Sequence, residues 1–340
     1  MKTQIPAPVL RSPDHLIAAI PFLLGFRPRA SVVIVWIDSG TIALTQRVDW
    51  PAAGAGASLD SWASSVIHAA RHVQAHGAVL LGYPGDPEQA FSTALTLPLS
   101  ALSRVWTDSD CEVLDAILVL DDCWHCAETD DGTLAWSARA FDLQISAEVS
   151  DDFMYSGWSF MASREEVCAE FADPSRPPEV SVLELEQQAQ ARTFAQSAEL
   201  EQWRDEVICR ISTSLTTGTM PGAERAEFTV GLRDIRVRDA VLWHLAGELD
   251  ANTALIALRG LVRGLPEGHR APAATVAGIC AWLTGDGVRA SAAIEIALAD
   301  EPEYGLALLV STALLNGLPP RTWQSTMEQL SYDACRNGLG

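Results

Sequence analysis

Three prolines within five residues, Pro174, Pro177 and Pro178, constrain this chain more than any other feature. Proline lacks a backbone donor and fixes φ, so neither a helix interior nor a central strand passes through such a segment. The pattern differs on its two sides. Before Asp173, apolar runs of strand length alternate with helix-like stretches; after Pro178, almost every segment has helical composition. At roughly 150 residues per domain, 340 residues is the length of two domains. Residues 1–172 read as an α/β sheet domain, 173–180 as an exposed Pro-rich linker open to proteolysis, and 181–340 as an α-helical domain.

In the first domain Ser12 and Pro13 suit the cap and first turn of a helix, with Pro21 expected to kink or restart it before Gly25 ends it. Ser31 to Ile37 is a continuous, β-branched apolar run, the signature of a strand covered on both faces. Asp38-Ser-Gly40 is a turn signal, so Thr41 to Val48 reads as its hairpin partner. Ser58 to His76 reads as a helix, Ala78 to Tyr83 as a strand, Asp86 to about Trp106 as a helix and Glu112 to Leu120 as a third core strand. Trp136 to Val149 alternates as a strand or two, and Ser163 with Glu166 forms a capping-box pattern. This order makes a layered sheet domain of a hairpin plus βαβ units.

In the second domain Leu183 to Thr217 reads as one helix, followed by short amphipathic segments starting near Pro221, Val237, Ala251, Pro272, Val288, Glu303 and Pro319. Short helices in succession pack as helical hairpins. Gly278, Ala290, Ala297 and Pro302 have the spacing of one tetratricopeptide-like unit, so the domain is helical-repeat-like.

Asp and Glu total 44 against 23 Lys and Arg, a formal charge of −21. A chain this acidic repels a phosphate backbone, and no basic run offsets it, so no nucleic-acid partner is expected. The most apolar stretch, Gly305 to Leu318, is shorter than a bilayer span, and the first eight residues do not resemble a signal peptide. Seven scattered cysteines, an odd number, are not a disulfide framework. These features together point to a cytoplasmic protein with no membrane partner.

Cys123-Trp-His-Cys126 offers Cys123, His125 and Cys126 as metal ligands or a redox pair. A structural zinc site needs four ligands and no second pair is present, so a loop with two free thiols is favoured. Asp38, Asp49, Asp121 and Asp122 all fall at or just past strand ends, where carboxylates from separate segments can gather Mg²⁺; turns and caps also favour Asp. His68, His72 and His76 are spaced i, i+4, i+8, a spacing equally suited to a solvated helix face. Arg236, Arg238 and Asp239 open a helix, with Arg236 and Asp239 placed for an intrahelical ion pair. No Gly-x-Gly-x-x-Gly, P-loop or Gly-x-Ser-x-Gly is present, so no cofactor is expected.

The stretch Leu10-Arg-Ser-Pro-Asp-His-Leu-Ile-Ala-Ala-Ile-Pro-Phe-Leu-Leu-Gly-Phe-Arg-Pro28, followed by Ser31-Val-Val and Arg47-Val-Asp-Trp-Pro51, resembles the actinobacterial domain-of-unknown-function family 4192. Arg236-Val-Arg-Asp-Ala-Val-Leu242, Arg270-Ala-Pro-Ala-Ala274, Ala281-Trp-Leu-Thr-Gly-Asp-Gly287 and Gly317-Leu-Pro-Pro320 resemble its C-terminal half. Members commonly carry a Cys-Cys-Pro after a central Trp; this chain has Trp124 and Cys126 without it. The two N-terminal motifs imply that Arg11, Asp14, Arg47 and Asp49 form a structural polar cluster. The family carries no activity to transfer.

The reading is therefore a non-catalytic interaction or assembly protein, with a protein partner or a second copy as its target. Its eleven tryptophans, Trp203, Trp243, Trp282 and Trp323 among them, suit interfaces as well as cores. The alternative is a divalent-metal-dependent hydrolase using the strand-end aspartates.

Overall fold

The structure, a computed structural model, describes residues 9–51, 58–69, 73, 75–85, 98–102, 111–130, 133–173 and 175–338. The N-terminal region holds α1 (Pro13–Leu24), β1 (Ser31–Asp38), β2 (Thr41–Asp49), α2 (Ser58–Ala69), β3 (Gly77–Tyr83), β4 (Glu112–Val119), β5 (Cys123–Asp130), β6 (Thr133–Ala140) and α3 (Leu143–Tyr155). The helix expected over 86–106 is helical at 98–102, and its remainder lies outside the described residues, as does His72.

Local chemistry sets the first elements as expected. Ser12 accepts from the His15 amide, Pro13 opens α1, and Gly25 closes it with φ 73°. The helix runs through Pro21 without restarting, so only one ladder bond, to the Ile17 carbonyl, is forgone. Ser39 (φ 50°) and Gly40 (φ 77°) make the hairpin turn, a primed turn that matches strand twist.

The six strands form one sheet in the order β2-β1-β3-β4-β5-β6. β3 and β4 run parallel and the other neighbouring pairs antiparallel. Val32, Ile34, Trp36, Leu80 and Leu118 pack on one face against Ala63 and Val66 of α2 and Leu99 and Leu102. The alternating residues Val33, Val35, Leu81 and Ile117 are buried too, so the central strands are covered on both faces. Ala19 and Phe22 of α1 pack on Val149 and Phe153 of α3.

The stretch taken to alternate as strands up to Val149 turns helical at Leu143, because Asp142 caps the Gln144 and Ile145 amides. Cys123–Cys126 lies in β5 rather than a loop.

The second region begins with α4 (Arg164–Ala169), α5 (Val182–Thr193), α6 (Ser197–Thr217), α7 (Arg225–Arg233) and α8 (Ile235–Gly247). It continues with α9 (Ala251–Arg263), α10 (Ala271–Leu283), α11 (Gly287–Asp300), α12 (Gly305–Leu315), α13 (Pro320–Glu328) and α14 (Tyr332–Arg336). The single helix expected over 183–217 is two, each opened by its own capping box at Ser181/Glu184 and Gln196/Glu199. α10 is buried from Ala271 to Trp282, which is why it is made almost wholly of small and apolar residues. Gly278 lets α11 approach it closely: a Cβ there would stand 2.9 Å from Ile294 Cδ1. Among the described residues no helix is long and apolar enough to cross a membrane.

The chain divides into two compact units, residues 1–164 with Leu315–Gly317, and residues 165–314 with 318–340. The division precedes the proline-rich segment, because the residues around that segment are anchored in the helical unit. Glu170 holds Arg259 and Arg289, Asp173 holds Arg263, and the Glu179 and Val180 amides both donate to the Gly264 carbonyl.

Candidate functional site

The loop from α1 to β1 is held in a constrained shape. Phe26 bridges Met161, whose carbonyl accepts from the Arg27 amide at 3.2 Å and whose amide donates to the Gly25 carbonyl at 2.8 Å. Ala30 sits at φ 44°, a left-handed conformation that side chains disfavour and that is found most often at functional loops. Gly85, after β3, leaves it room: a Cβ there would stand 3.0 Å from the Ala30 Cβ.

This loop presents Arg27 and Arg29 on either side of buried Pro28. The Arg27 guanidinium carbon lies 4.9 Å from the Phe160 ring centroid, and Phe160 in turn meets Phe22 edge-on at 4.7 Å. An aromatic platform under one face of a guanidinium orients the fork and leaves its N–H edges available. Among the described residues neither Arg27 nor Arg29 has a carboxylate partner. Arg259, Arg263, Arg289 and Arg336, by contrast, each hold one.

Both arginines line a cavity of about 580 Å³ in the α/β unit. α1 contributes Ile17, Pro21 and Phe22; α3 contributes Ser146 and Ser150; Phe141 and Phe160 add ring surface. Tyr83 and Pro84 reach it from the end of β3, and Val119, Leu120 and Asp121 from the end of β4. The cavity thus opens at the carboxyl ends of the two parallel strands, the position where α/β sheets place ligands. Among the described residues the buried Tyr83 hydroxyl has no hydrogen-bond partner, and burial pushes its phenol well up, so it stays protonated. Ser31, opposite Tyr83 in the β1–β3 register and on the same face, also buries a hydroxyl without a partner among the described residues.

Sheet register separates the four strand-end aspartates. β1 runs antiparallel to β3, so Asp38 stands at the sheet end where Gly77 and Glu112 begin, bonded to His76 Nδ1 at 2.8 Å. Asp49 lies opposite Ser31 at the other end, with β1 and β3 between it and β4. Asp121 and Asp122 follow β4, and Asp121 is the one of the four that lines the cavity. Among the described residues no three His, Cys, Asp or Glu side chains gather as metal ligands do. In β5, Cys123 Sγ is 3.7 Å from His125 Nε2 on one face, while Cys126 points to the other face and the Ser137 carbonyl.

The expected polar cluster divides instead of joining. Arg47 pairs with Asp49 at 2.6 Å, while Asp14 accepts from Trp124 Nε1 at 3.2 Å and from the Asp142 amide at 3.1 Å. The helix-start cluster is rewired as well. Arg236 reaches Glu201 at 2.8 Å rather than Asp239, and Arg238 takes Asp239 and the Tyr304 hydroxyl. The tryptophans named above pack within the helical unit: Trp203 donates to Glu227, Trp243 to the Leu330 carbonyl and Trp282 to the Leu318 carbonyl, with Trp323 against Trp282.

A family model described as a domain of unknown function, DUF4192, matches residues 13–321. The chain belongs to the DUF4192 family. No curated protein and no solved structure matches it. In this DUF4192 chain the motif from Leu10 to Pro28 builds one wall of the cavity, through Ile17, Pro21, Phe22 and Arg27. Arg27, Arg29 and Tyr83 were not singled out from sequence. The available signal was two arginines flanking a proline, placed between a helix stop and a buried strand.

Proposed function

We propose that the α/β unit is a non-catalytic binding module, and that the cavity at the β3 and β4 ends takes a negatively charged small molecule. One observation carries this reading: in a chain of net charge −21, two arginines without a carboxylate partner among the described residues line one cavity. Guanidinium edges match carboxylate and phosphate oxygens bidentately. The test is thermal melting and calorimetry with inorganic phosphate, sulfate and acetate. Binding that disappears in Arg27→Ala/Arg29→Ala supports the reading; no response to any anion rejects it. A melting shift with Mg²⁺ or Mn²⁺ that Asp121→Ala removes would favour the hydrolase alternative.

A second reading, self-association, now rests on α12. Its eleven residues carry no charge, and Leu308 and Leu309 are 45% and 68% exposed. Mutual repulsion between acidic copies requires such an uncharged, apolar contact. Light scattering at physiological salt decides it: a mass that stays near 36.6 kDa at all concentrations rejects the dimer. Seven free thiols, Cys280 and Cys335 buried, support placing the protein in the reducing cytoplasm.

A further inference from the structure

The cavity is larger and more graded than a bare anion requires. Its volume of about 580 Å³ falls within the roughly 300–1,000 Å³ of small-molecule sites. Positive charge comes from Arg27 and Arg29, a carboxylate from Asp121, and ring surface from Tyr83, Phe141 and Phe160.

From this arrangement we infer that the ligand is a nucleoside monophosphate. The inference rests on the anion reading above and adds what surrounds the anion. Each part of such a molecule meets a group suited to it. A phosphomonoester carries about two negative charges near neutral pH, matching two guanidiniums. A triphosphate would bring more charge than these arginines balance, in a chain already at −21. Asp121 repels a lone anion but accepts hydrogen bonds from sugar hydroxyls. The flat base suits ring surfaces that stack or meet edge to face. The carboxyl ends of parallel strands in an α/β sheet are where nucleotides recurrently bind. Here side-chain guanidiniums take the place of a glycine-rich loop, consistent with a sequence that has no such loop after a strand.

Calorimetry on the full chain tests this with AMP, GMP, CMP and UMP against ribose 5-phosphate, inorganic phosphate, adenosine and benzoate. At least one nucleoside monophosphate should bind about tenfold more tightly than ribose 5-phosphate or inorganic phosphate. Arg27→Ala/Arg29→Ala should remove binding of both nucleotide and phosphate. Phe141→Ala should weaken the nucleotide by about three- to tenfold and leave inorganic phosphate unchanged. Phosphate or benzoate binding as tightly as every nucleotide overturns the nucleotide inference and leaves the anion reading standing. Phe141→Ala without effect on a bound nucleotide overturns the placement of the base. Failure of every anion to bind overturns both.

Discussion

Arg289 and Glu170, 119 residues apart, meet through two parallel hydrogen bonds, Nε to Oε2 at 2.6 Å and Nη2 to Oε1 at 3.0 Å. Arg259 adds a third at 3.0 Å, so α4 is fixed to α9 and α11 by one carboxylate. This contact, more than any local propensity, assigns the residues before the proline-rich segment to the helical unit.

Its pH dependence follows from the carboxylate. Burial pushes the Glu170 carboxyl up, but the hydrogen bonds and charge of Arg289 and Arg259 outweigh burial and hold it below its usual range. A depressed folded value means the stabilisation is fully present above the unfolded pKa, about 4.3, and is lost as pH falls through the folded value. Glu170→Gln should therefore destabilise the helical unit by about 2 kcal/mol at pH 7. Urea unfolding of both proteins should show that gap narrowing progressively as pH falls below about 4.3. A gap that stays constant through this range would contradict the assignment.

Gly278→Ala should destabilise although alanine is the better helix former. The new methyl would meet Ile294 Cδ1 at 2.9 Å and the Ala290 carbonyl oxygen at 3.2 Å. Overpacking of this kind costs about 1–3 kcal/mol, more than the ~1 kcal/mol gained in propensity. Ile294→Val in the same chain, by removing the closest atom, should restore part of the loss in a thermal melt.

Asp14 ties three elements together by accepting from Trp124 Nε1 of β5 and from the Asp142 amide that precedes α3. Asp14→Ala leaves both donors without their acceptor and should cost the α/β unit about 1–3 kcal/mol. Asp14→Asn retains an acceptor oxygen and should cost less. Equal losses in chemical denaturation would show that packing, not the acceptor, is what Asp14 supplies.

Cys123 and Cys126 should not form a disulfide with each other. Three strand residues span about 10 Å and put the two side chains on opposite faces, whereas a disulfide needs Cα atoms within about 7 Å. Differential alkylation and peptide mapping of the air-exposed folded protein should recover both as free thiols. A Cys123–Cys126 linked peptide would overturn the assignment of this stretch to β5.

Where one short segment carries its own instruction, the structure was legible from the chain. Ser12-Pro13 and Gly25 delimit α1 because caps act within a single turn; Ser31–Ile37 is a strand because its apolar side chains need two covered faces. The helix starts near Val237, Ala251, Pro272, Val288, Glu303 and Pro319 follow from the same local signals, and so does the order of sheet region before helical region. Leu143 to Val149 alternates like a strand, but the Asp142 cap makes it the start of a helix.

The candidate site lay beyond such signals. Sequence places Asp38 and Asp121 alike at strand ends, but antiparallel pairing of β1 with β3 and parallel pairing of β3 with β4 send them to opposite ends of the sheet. The same pairing brings Tyr83 and Asp121 to one cavity with Arg27 and Arg29, residues separated by up to 94 positions. Local propensity determines elements because it is decided within a few residues of backbone. Strand direction, register and the partner of each arginine depend on contacts between distant segments, so only the tertiary structure decided which charges are neutralised and which line a cavity.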